Sequence, residues 1–240
     1  MKANTIVILH GWGLSGATFI PLAQILVEKG YRVFTPDLPG FGTAAAPVRP
    51  YVLADYVGFV ADYCRAQRIR EPIFIGHSFG GRVALKYSAM YPKDVRALIL
   101  SGTPGFTHIP RKKLLLFIVL AKIGGLIFSL PPLNLVQDAV RRWYYYVVGA
   151  KDFFRAEGMM RETFKLVVQE SLVVSMESIN IPTLLLWGEF DVIVPPAIAQ
   201  KMEHVIAGTQ LIIVPDADHG VAFKEPKTFA RYVDAFLRSL

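Results

Sequence analysis

A serine between two glycines is the residue best placed to do covalent chemistry in this chain of 240 residues. The segment Gly76-His-Ser-Phe-Gly80 follows the apolar run 73–75 and leads into a stretch with helical spacing. Such a strand, turn and helix present the serine hydroxyl clear of the backbone, and Gly76 and Gly80 allow a close approach because they lack a β-carbon. The pattern predicts a nucleophile elbow for acyl chemistry, with Ser78 as the nucleophile.

A serine hydroxyl is a weak nucleophile at neutral pH, so it needs a base and a third group that orients the base. Of the five histidines, His219 fits best, because it follows the last apolar strand on a loop expected to return over Ser78. Asp191 lies on the loop after the preceding strand and is predicted to orient His219. His77 adjoins the serine on the turn and is expected to point elsewhere.

Acyl transfer also needs two backbone amides where negative charge develops on the carbonyl oxygen. The amide of Phe79, at the start of the predicted helix, supplies one donor. The amide of Trp12 is predicted to supply the other, because Gly11 and Gly13 let the loop after the first strand turn inward. His10 ends that strand and is expected to shape the loop.

Short apolar strands alternate with amphipathic helices along most of the chain. This alternation predicts an α/β fold with a mostly parallel sheet of about six strands flanked by helices, whose ligands bind at the carboxyl ends of the strands. The predicted core comprises residues 1–103 and 180–240. The expected strands are 6–10, 32–36, 73–75, 97–101, 183–187 and 210–214.

Residues 104–179 interrupt the alternation and are predicted to form a helical cap, or lid, inserted between two strands. Within them, the stretch 114–130 is apolar enough to suggest a membrane span. That interpretation is rejected because the stretch is only about 17 residues long and carries Lys122 at its middle. We expect the stretch to pack over the core, and contact with a lipid surface is the second interpretation.

Composition limits the partners and cofactors. The formal charge of +7 could indicate nucleic acid, but the basic residues are mostly single and flanked by acidic or apolar neighbours, so no nucleic-acid partner is predicted. The single cysteine, Cys64, excludes an internal disulfide, and no ligand cluster has metal spacing, so no metal or other cofactor is expected. With the first strand starting at Ile6, no signal sequence is recognised and a cytoplasmic location is expected.

The motifs follow one another in the order oxyanion loop, serine, aspartate, histidine, and in this the sequence resembles the α/β-hydrolase superfamily from Ile6 onward. It is similar to capped serine carboxylesterases, including the pimeloyl-ester hydrolases of biotin synthesis. The resemblance implies the α/β-hydrolase fold and a Ser-Asp-His triad. Family members usually begin with an antiparallel hairpin, which is expected to be absent here. The matching segments are His10-Gly-Trp-Gly13, Asp37-Leu-Pro-Gly-Phe-Gly42, Gly76-His-Ser-Phe-Gly-Gly81, Gly188-Glu-Phe-Asp191 and Asp218-His-Gly220.

The expected activity is cleavage of small-molecule carboxylic esters, with short- to medium-chain acyl or aryl groups, through an acyl-enzyme. Lactone opening and carbon-carbon bond hydrolysis remain open, because they use the same triad and differ in the cap pocket. A lipase and a non-catalytic ligand-binding module are further alternatives. The chain is expected to be a monomer or a homodimer. The predicted pocket residues are Leu14, Phe106, Trp143 and Val192.

Overall fold

The computed structural model describes residues 4–106 and 158–240. Its six strands form one sheet in the order β2-β1-β3-β4-β5-β6, and every neighbouring pair is parallel. The predicted α/β architecture with six strands is therefore confirmed. The strands are β1 (Thr5–Leu9), β2 (Arg32–Phe34), β3 (Ile73–His77), β4 (Ala97–Ser101), β5 (Thr183–Gly188) and β6 (Thr209–Val214).

Helices connect the strands and cover both faces of the sheet. The predicted cap residues 107–157, with Trp143 and the apolar stretch 114–130, lie outside the described residues, so the domain boundaries stay a prediction. No helix in the described ranges is long and apolar enough to cross a membrane. The α-helices of these ranges are α1 (Ile20–Glu28), α2 (Leu53–Ala66), α3 (Phe79–Met90), α4 (Gly158–Gln169), α5 (Val173–Glu177), α6 (Pro196–Val205), α7 (Val221–Lys224) and α8 (Pro226–Arg238).

Alternate residues of the central strands pack on opposite faces of the sheet. On β1, Val7 and Leu9 belong to the apolar cluster that includes α2 and α3, whereas Ile6 and Ile8 belong to the cluster that includes α1 and α8. All four side chains are fully buried. Burial on both faces explains why these strands read as continuous apolar runs, and each such side chain contributes about 1.5 to 3 kcal/mol.

The turn between β3 and α3 consists of Ser78 alone. Its backbone has φ 51° and ψ −113°, in a region that residues with a β-carbon rarely adopt. The helix starts so close to the sheet that a β-carbon on Gly80 would lie 2.1 Å from the carbonyl oxygen of Leu9. The packing of α3 on the strand ends therefore requires glycine at this position.

A buried arginine on α3 holds both segments that border residues 107–157. Arg82 is 2% exposed, and its guanidinium donates hydrogen bonds to the carbonyl oxygens of Pro104, Val167 and Glu170. Burial lowers the pKa of Arg82 to about 10, so the group stays charged at neutral pH. Lys86, one turn further along α3, pairs with the carboxylate of Glu170. The entry to and the return from the predicted cap are thus attached to the helix that follows the serine.

The close contact at Gly80 predicts a large loss of stability when a methyl group is added there. We expect Gly80→Ala to lower the free energy of unfolding by about 3 kcal/mol, because the backbone oxygen it meets cannot move aside. Urea unfolding of the purified variant measures this change.

The matched control is Gly58→Ala, on α2, where a β-carbon would meet no atom within 4 Å. This variant should raise the free energy of unfolding by about 0.5 to 1 kcal/mol, because alanine favours a helix interior over glycine. Equal unfolding midpoints for the two variants would contradict the packing at Gly80.

Candidate active site

The predicted base and its orienting carboxylate lie at the carboxyl ends of neighbouring strands. His219 lies in the loop between β6 and α7, and Asp191 in the loop after β5. The Nδ1 atom of His219 donates a hydrogen bond to Oδ2 of Asp191 over 2.7 Å. Because a carboxylate only accepts, Nδ1 carries a proton, and in the neutral ring Nε2 has the lone pair that a general base requires.

The loop after β5 holds the Asp191 carboxylate in one position. Its Oδ1 atom accepts hydrogen bonds from the backbone amides of Ile193 and Val194 over 2.9 and 2.8 Å. The indole of Trp187, buried at the end of β5, donates to the carbonyl oxygen of Val194 over 2.7 Å. The Asp191 side chain is 1% exposed, so these bonds are shielded from water and orient the carboxylate toward His219.

Ser78 and His219 both lie next to the carboxyl end of β4, at Ser101 and Gly102. The amide of Ser78 donates to the carbonyl oxygen of Ser101 over 2.8 Å. The next residue, Gly102, lies under the imidazole, because a β-carbon there would be 2.6 Å from Cε1 of His219. Within the described residues the Ser78 hydroxyl makes no hydrogen bond, so its bond to His219 is not formed in this structure. Catalytic hydrogen bonds are often long in ligand-free enzymes and shorten when substrate binds.

His77 packs against the proposed base, a contact that the sequence did not indicate. Its ring centroid lies 4.8 Å from that of His219 and 5.5 Å from that of Phe223. Complete burial lowers the pKa of His77 well below its usual value, and the neighbouring His219 lowers it further. A glycine makes room for the ring, because a β-carbon on Gly11 would lie 3.0 Å from Cδ2 of His77. His77 is therefore an uncharged ring that packs against the side of His219.

His10 makes hydrogen bonds to the loops after β1 and β2. Nε2 of His10 accepts a hydrogen bond from the amide of Leu38 over 2.9 Å, so Nδ1 carries the proton and donates to the carbonyl oxygen of Gly11. Burial lowers the pKa of His10. The carboxylate of Asp37 adds a second connection, since it accepts from the amide of Gly16 over 2.7 Å. The loops after β1 and β2 are thus held together.

Both predicted oxyanion donors border the elbow. Phe79 is the first residue of α3, so its amide has no acceptor within the helix. The amide of Trp12 donates to no residue in the described ranges. The Trp12 indole meets Phe41, Phe79 and Phe164 edge to face at centroid distances of 4.9, 5.2 and 4.9 Å. These contacts hold the backbone of Trp12 beside the start of α3 and next to α4, which carries Phe164.

The three predicted pocket residues that the structure describes do not pack into one apolar cluster. Leu14 packs with the core on the α1 face of the sheet, and Phe106 packs with the core on the α3 face. Val192 is 87% exposed on the loop after Asp191. Trp143 lies outside the described residues. In the parts of the chain that the structure describes, no group of three or more His, Cys, Asp or Glu side chains could hold a metal ion.

Comparison with known proteins assigns the class. Residues 4–226 match the family model of the alpha/beta hydrolase fold, and the chain belongs to this family. It is 26% identical to lipase 3 of Moraxella sp. over 98% of its own length and 78% of that protein. It is 29% identical to the pimeloyl-[acyl-carrier protein] methyl ester esterase of Shewanella woodyi over 100% and 93% of the two chains.

A solved structure has the same fold. The esterase from Exiguobacterium antarcticum superposes with a TM-score of 0.75 at 22% identity, over 98% of this chain and 92% of that one. The expected resemblance to α/β hydrolases is therefore confirmed, and the chain is a hydrolase of this fold.

Because two histidines are buried, we expect the free energy of unfolding to fall in mild acid. The pKa values of His10 and His77 are lowered in the folded protein, so below pH 6.5 the unfolded chain binds more protons than the folded one. We expect the free energy of unfolding to fall by about 1 to 2.5 kcal/mol between pH 7.5 and 5.5. Urea unfolding at a series of pH values measures the slope.

Two variants test whether His10 causes the change of the free energy of unfolding with pH. His10→Gln should make the slope shallower, because one titrating group is removed. His204→Gln removes an exposed histidine on α6 and should leave the slope unchanged. A slope that both variants leave at the wild-type value would show that His10 does not cause it.

Proposed function

We propose that the protein is a serine carboxylesterase in which Ser78, His219 and Asp191 form the catalytic triad. The observation that carries the proposal is the 2.7 Å hydrogen bond between His219 and Asp191. It lies at the carboxyl ends of the strands, the same edge of the sheet at which Ser78 follows β3. The hydrogen bond directs Nδ1 of His219 to the carboxylate and leaves Nε2 as the free edge of a ring that packs against His77, the neighbour of the serine. A hydroxyl, a base and an orienting carboxylate from three separate loops suit nucleophilic acyl transfer.

In the proposed mechanism, Nε2 of His219 takes the proton of Ser78 as the serine oxygen attacks the ester carbonyl. Asp191 stabilises the resulting imidazolium, and the amides of Trp12 and Phe79 bind the oxyanion of the tetrahedral intermediate. His219 then protonates the leaving alcohol as the ester C–O bond breaks. A water molecule, deprotonated by His219, hydrolyses the acyl-enzyme and restores the free serine.

The relatives favour carboxylic esters as the substrate class. The Shewanella woodyi protein is named for a methyl ester and the Moraxella protein is named a lipase, so both names describe ester cleavage. We propose short- to medium-chain acyl or aryl esters, bound under a cap formed by residues 104–179. Lactones use the same triad and belong in the substrate panel, as do carbon-carbon cleavage substrates.

The central experiment compares Ser78→Ala with Ser88→Ala on p-nitrophenyl butyrate. Ser88 is a buried serine of the same helix whose hydroxyl donates to the carbonyl oxygen of Ala84, away from the elbow. Loss of the nucleophile should lower kcat by about 10⁴-fold or more, whereas Ser88→Ala should stay near wild type. A fluorophosphonate probe should label the wild type and Ser88→Ala but not Ser78→Ala. Near-normal turnover by Ser78→Ala would refute the assignment.

Asp191→Asn tests the orienting carboxylate separately. The amide can still accept from the backbone of Ile193 and Val194, but it favours the wrong tautomer of His219, so kcat should fall by about 10³- to 10⁴-fold. Circular dichroism should match the wild type. A loss of less than tenfold would remove Asp191 from the mechanism.

A cytoplasmic location and a monomeric or homodimeric state are also part of the proposal. Light scattering during size-exclusion chromatography measures the oligomeric state. An esterase should be fully active on dissolved substrate, at concentrations below the solubility limit of that substrate. A sharp rise in rate above that limit would instead favour a lipase whose cap meets a lipid surface.

A further inference from the structure

A cavity lies at the opposite edge of the sheet from Ser78, where the strands begin. Its volume is about 1290 Å³, and its wall includes the starts of β1 and β2 and the ends of α2 and α3. The loops that lead into β3 and β4 complete the wall. We call this cavity the basic basin, because six of its lining residues are cations. They are Arg32, Arg65, Arg68, Arg70, Lys93 and Arg96.

The basic basin holds a large excess of unpaired positive charge. Among the residues that the structure describes, two acidic ones, Glu71 and Asp94, line it, which leaves a formal charge of +4. Of the six cations, Arg65 pairs with Asp62 over 2.8 Å, and Arg32 lies over the ring of Phe34. The other four form no ion pair with any residue in the described ranges. Like charges gathered in a concavity produce a positive potential that attracts anions.

The end of α2 places one of these arginines in an unusual backbone conformation. The helix ends in a Schellman motif, with the amide of Ile69 donating to the carbonyl oxygen of Cys64 over 2.8 Å. The position that needs a left-handed backbone in this motif is usually glycine, yet here it is Arg68, with φ 54°. Glu71, in the same loop, has φ 47°. An arginine at this position costs conformational energy that a glycine would not, and it adds one more guanidinium to the lining of the basin.

The shape and the residue types indicate what the basin binds. Five of the six cations are arginines, whose planar guanidinium binds two phosphate oxygens at once. The floor contains the buried side chains of Cys64, Ile69 and Tyr87, and the partly exposed ring of Tyr91 lies 5.0 Å from that of Tyr87. The cavity is concave, with helix ends and strand starts around it, so it suits a small molecule that enters it better than a flat membrane surface.

We propose that the basic basin binds a soluble ligand with linked phosphate groups on a flat ring, the chemical class of the nucleoside diphosphates. The phosphates bind the arginines of the rim, with Arg68 at their centre, and the ring packs against Tyr91 and the apolar floor. This site is separate from the proposed ester hydrolysis and does not depend on it.

Calorimetric titration of ADP and of pyrophosphate into the full chain at low salt tests the proposal. Both should bind, and ADP should bind more tightly because its ring contacts the floor. In Arg68→Gly the affinity for both should fall by roughly tenfold, since one charge-assisted pair is lost. The melting temperature should stay equal or rise by about 2 °C, because glycine relieves the left-handed strain. Weaker binding therefore cannot be attributed to unfolding.

The matched control is Arg231→Gln, which removes an exposed arginine of α8 that does not line the basin. It should bind ADP as the wild type does. The proposal is overturned if about 5 mM ADP gives no binding, if Arg68→Gly binds as tightly as the wild type, or if Arg231→Gln weakens binding equally. Cosedimentation with phosphatidylglycerol vesicles that Arg68→Gly abolishes, without ADP binding, would overturn it in favour of a lipid headgroup.

Discussion

The close contact between α3 and the ends of β1 and β3 is the constraint on which the candidate site depends. Gly80 lies against the backbone of Leu9, and a β-carbon on Gly76 would lie 2.5 Å from the Cα atom of Gly81. With the helix this close, a single residue must make the turn, and Ser78 adopts its left-handed backbone there. The same contact brings the loop after β1 beside the first amide of α3. One packing arrangement therefore sets both the nucleophile and the predicted oxyanion donors.

Buried polar groups extend this constraint to the parts of the chain that surround the site. Neutral His10 joins the loops after β1 and β2, and charged Arg82 joins α3 to the residues on both sides of 107–157. Each of these side chains exchanges hydrogen bonds to water for hydrogen bonds to backbone groups, so the net gain in stability is small. Because the bonds form in only one arrangement of the loops, each side chain selects that arrangement. Because Arg82 is one helical turn from Ser78, the base of the predicted cap and the serine share one rigid element.

Local sequence patterns were sufficient to predict the sheet and the motifs that border the site. The apolar runs identified all six strands, although β2 ends at Phe34 rather than Pro36, because a proline cannot donate to the sheet. Contacts between distant residues were not predictable. Arg82 appears on an ordinary helix, and its three carbonyl partners lie 22 to 88 positions away. The cations of the basic basin lie on three segments, at residue 32, in 65–70 and in 93–96, and only the fold brings these segments together into one charged surface.

The parallel topology itself separates the two proposed sites. Because every strand runs the same way, α3 begins at the edge that carries Ser78 and ends at the edge that carries the basic basin. The positive end of the helix dipole therefore faces the place where an oxyanion would form. At the other edge, the carboxyl ends of α2 and α3 together supply about one negative charge. That partial charge favours arginines there, but it balances only a fraction of the formal +4, so the basin keeps a positive potential for which a phosphate ligand is the natural counterpart.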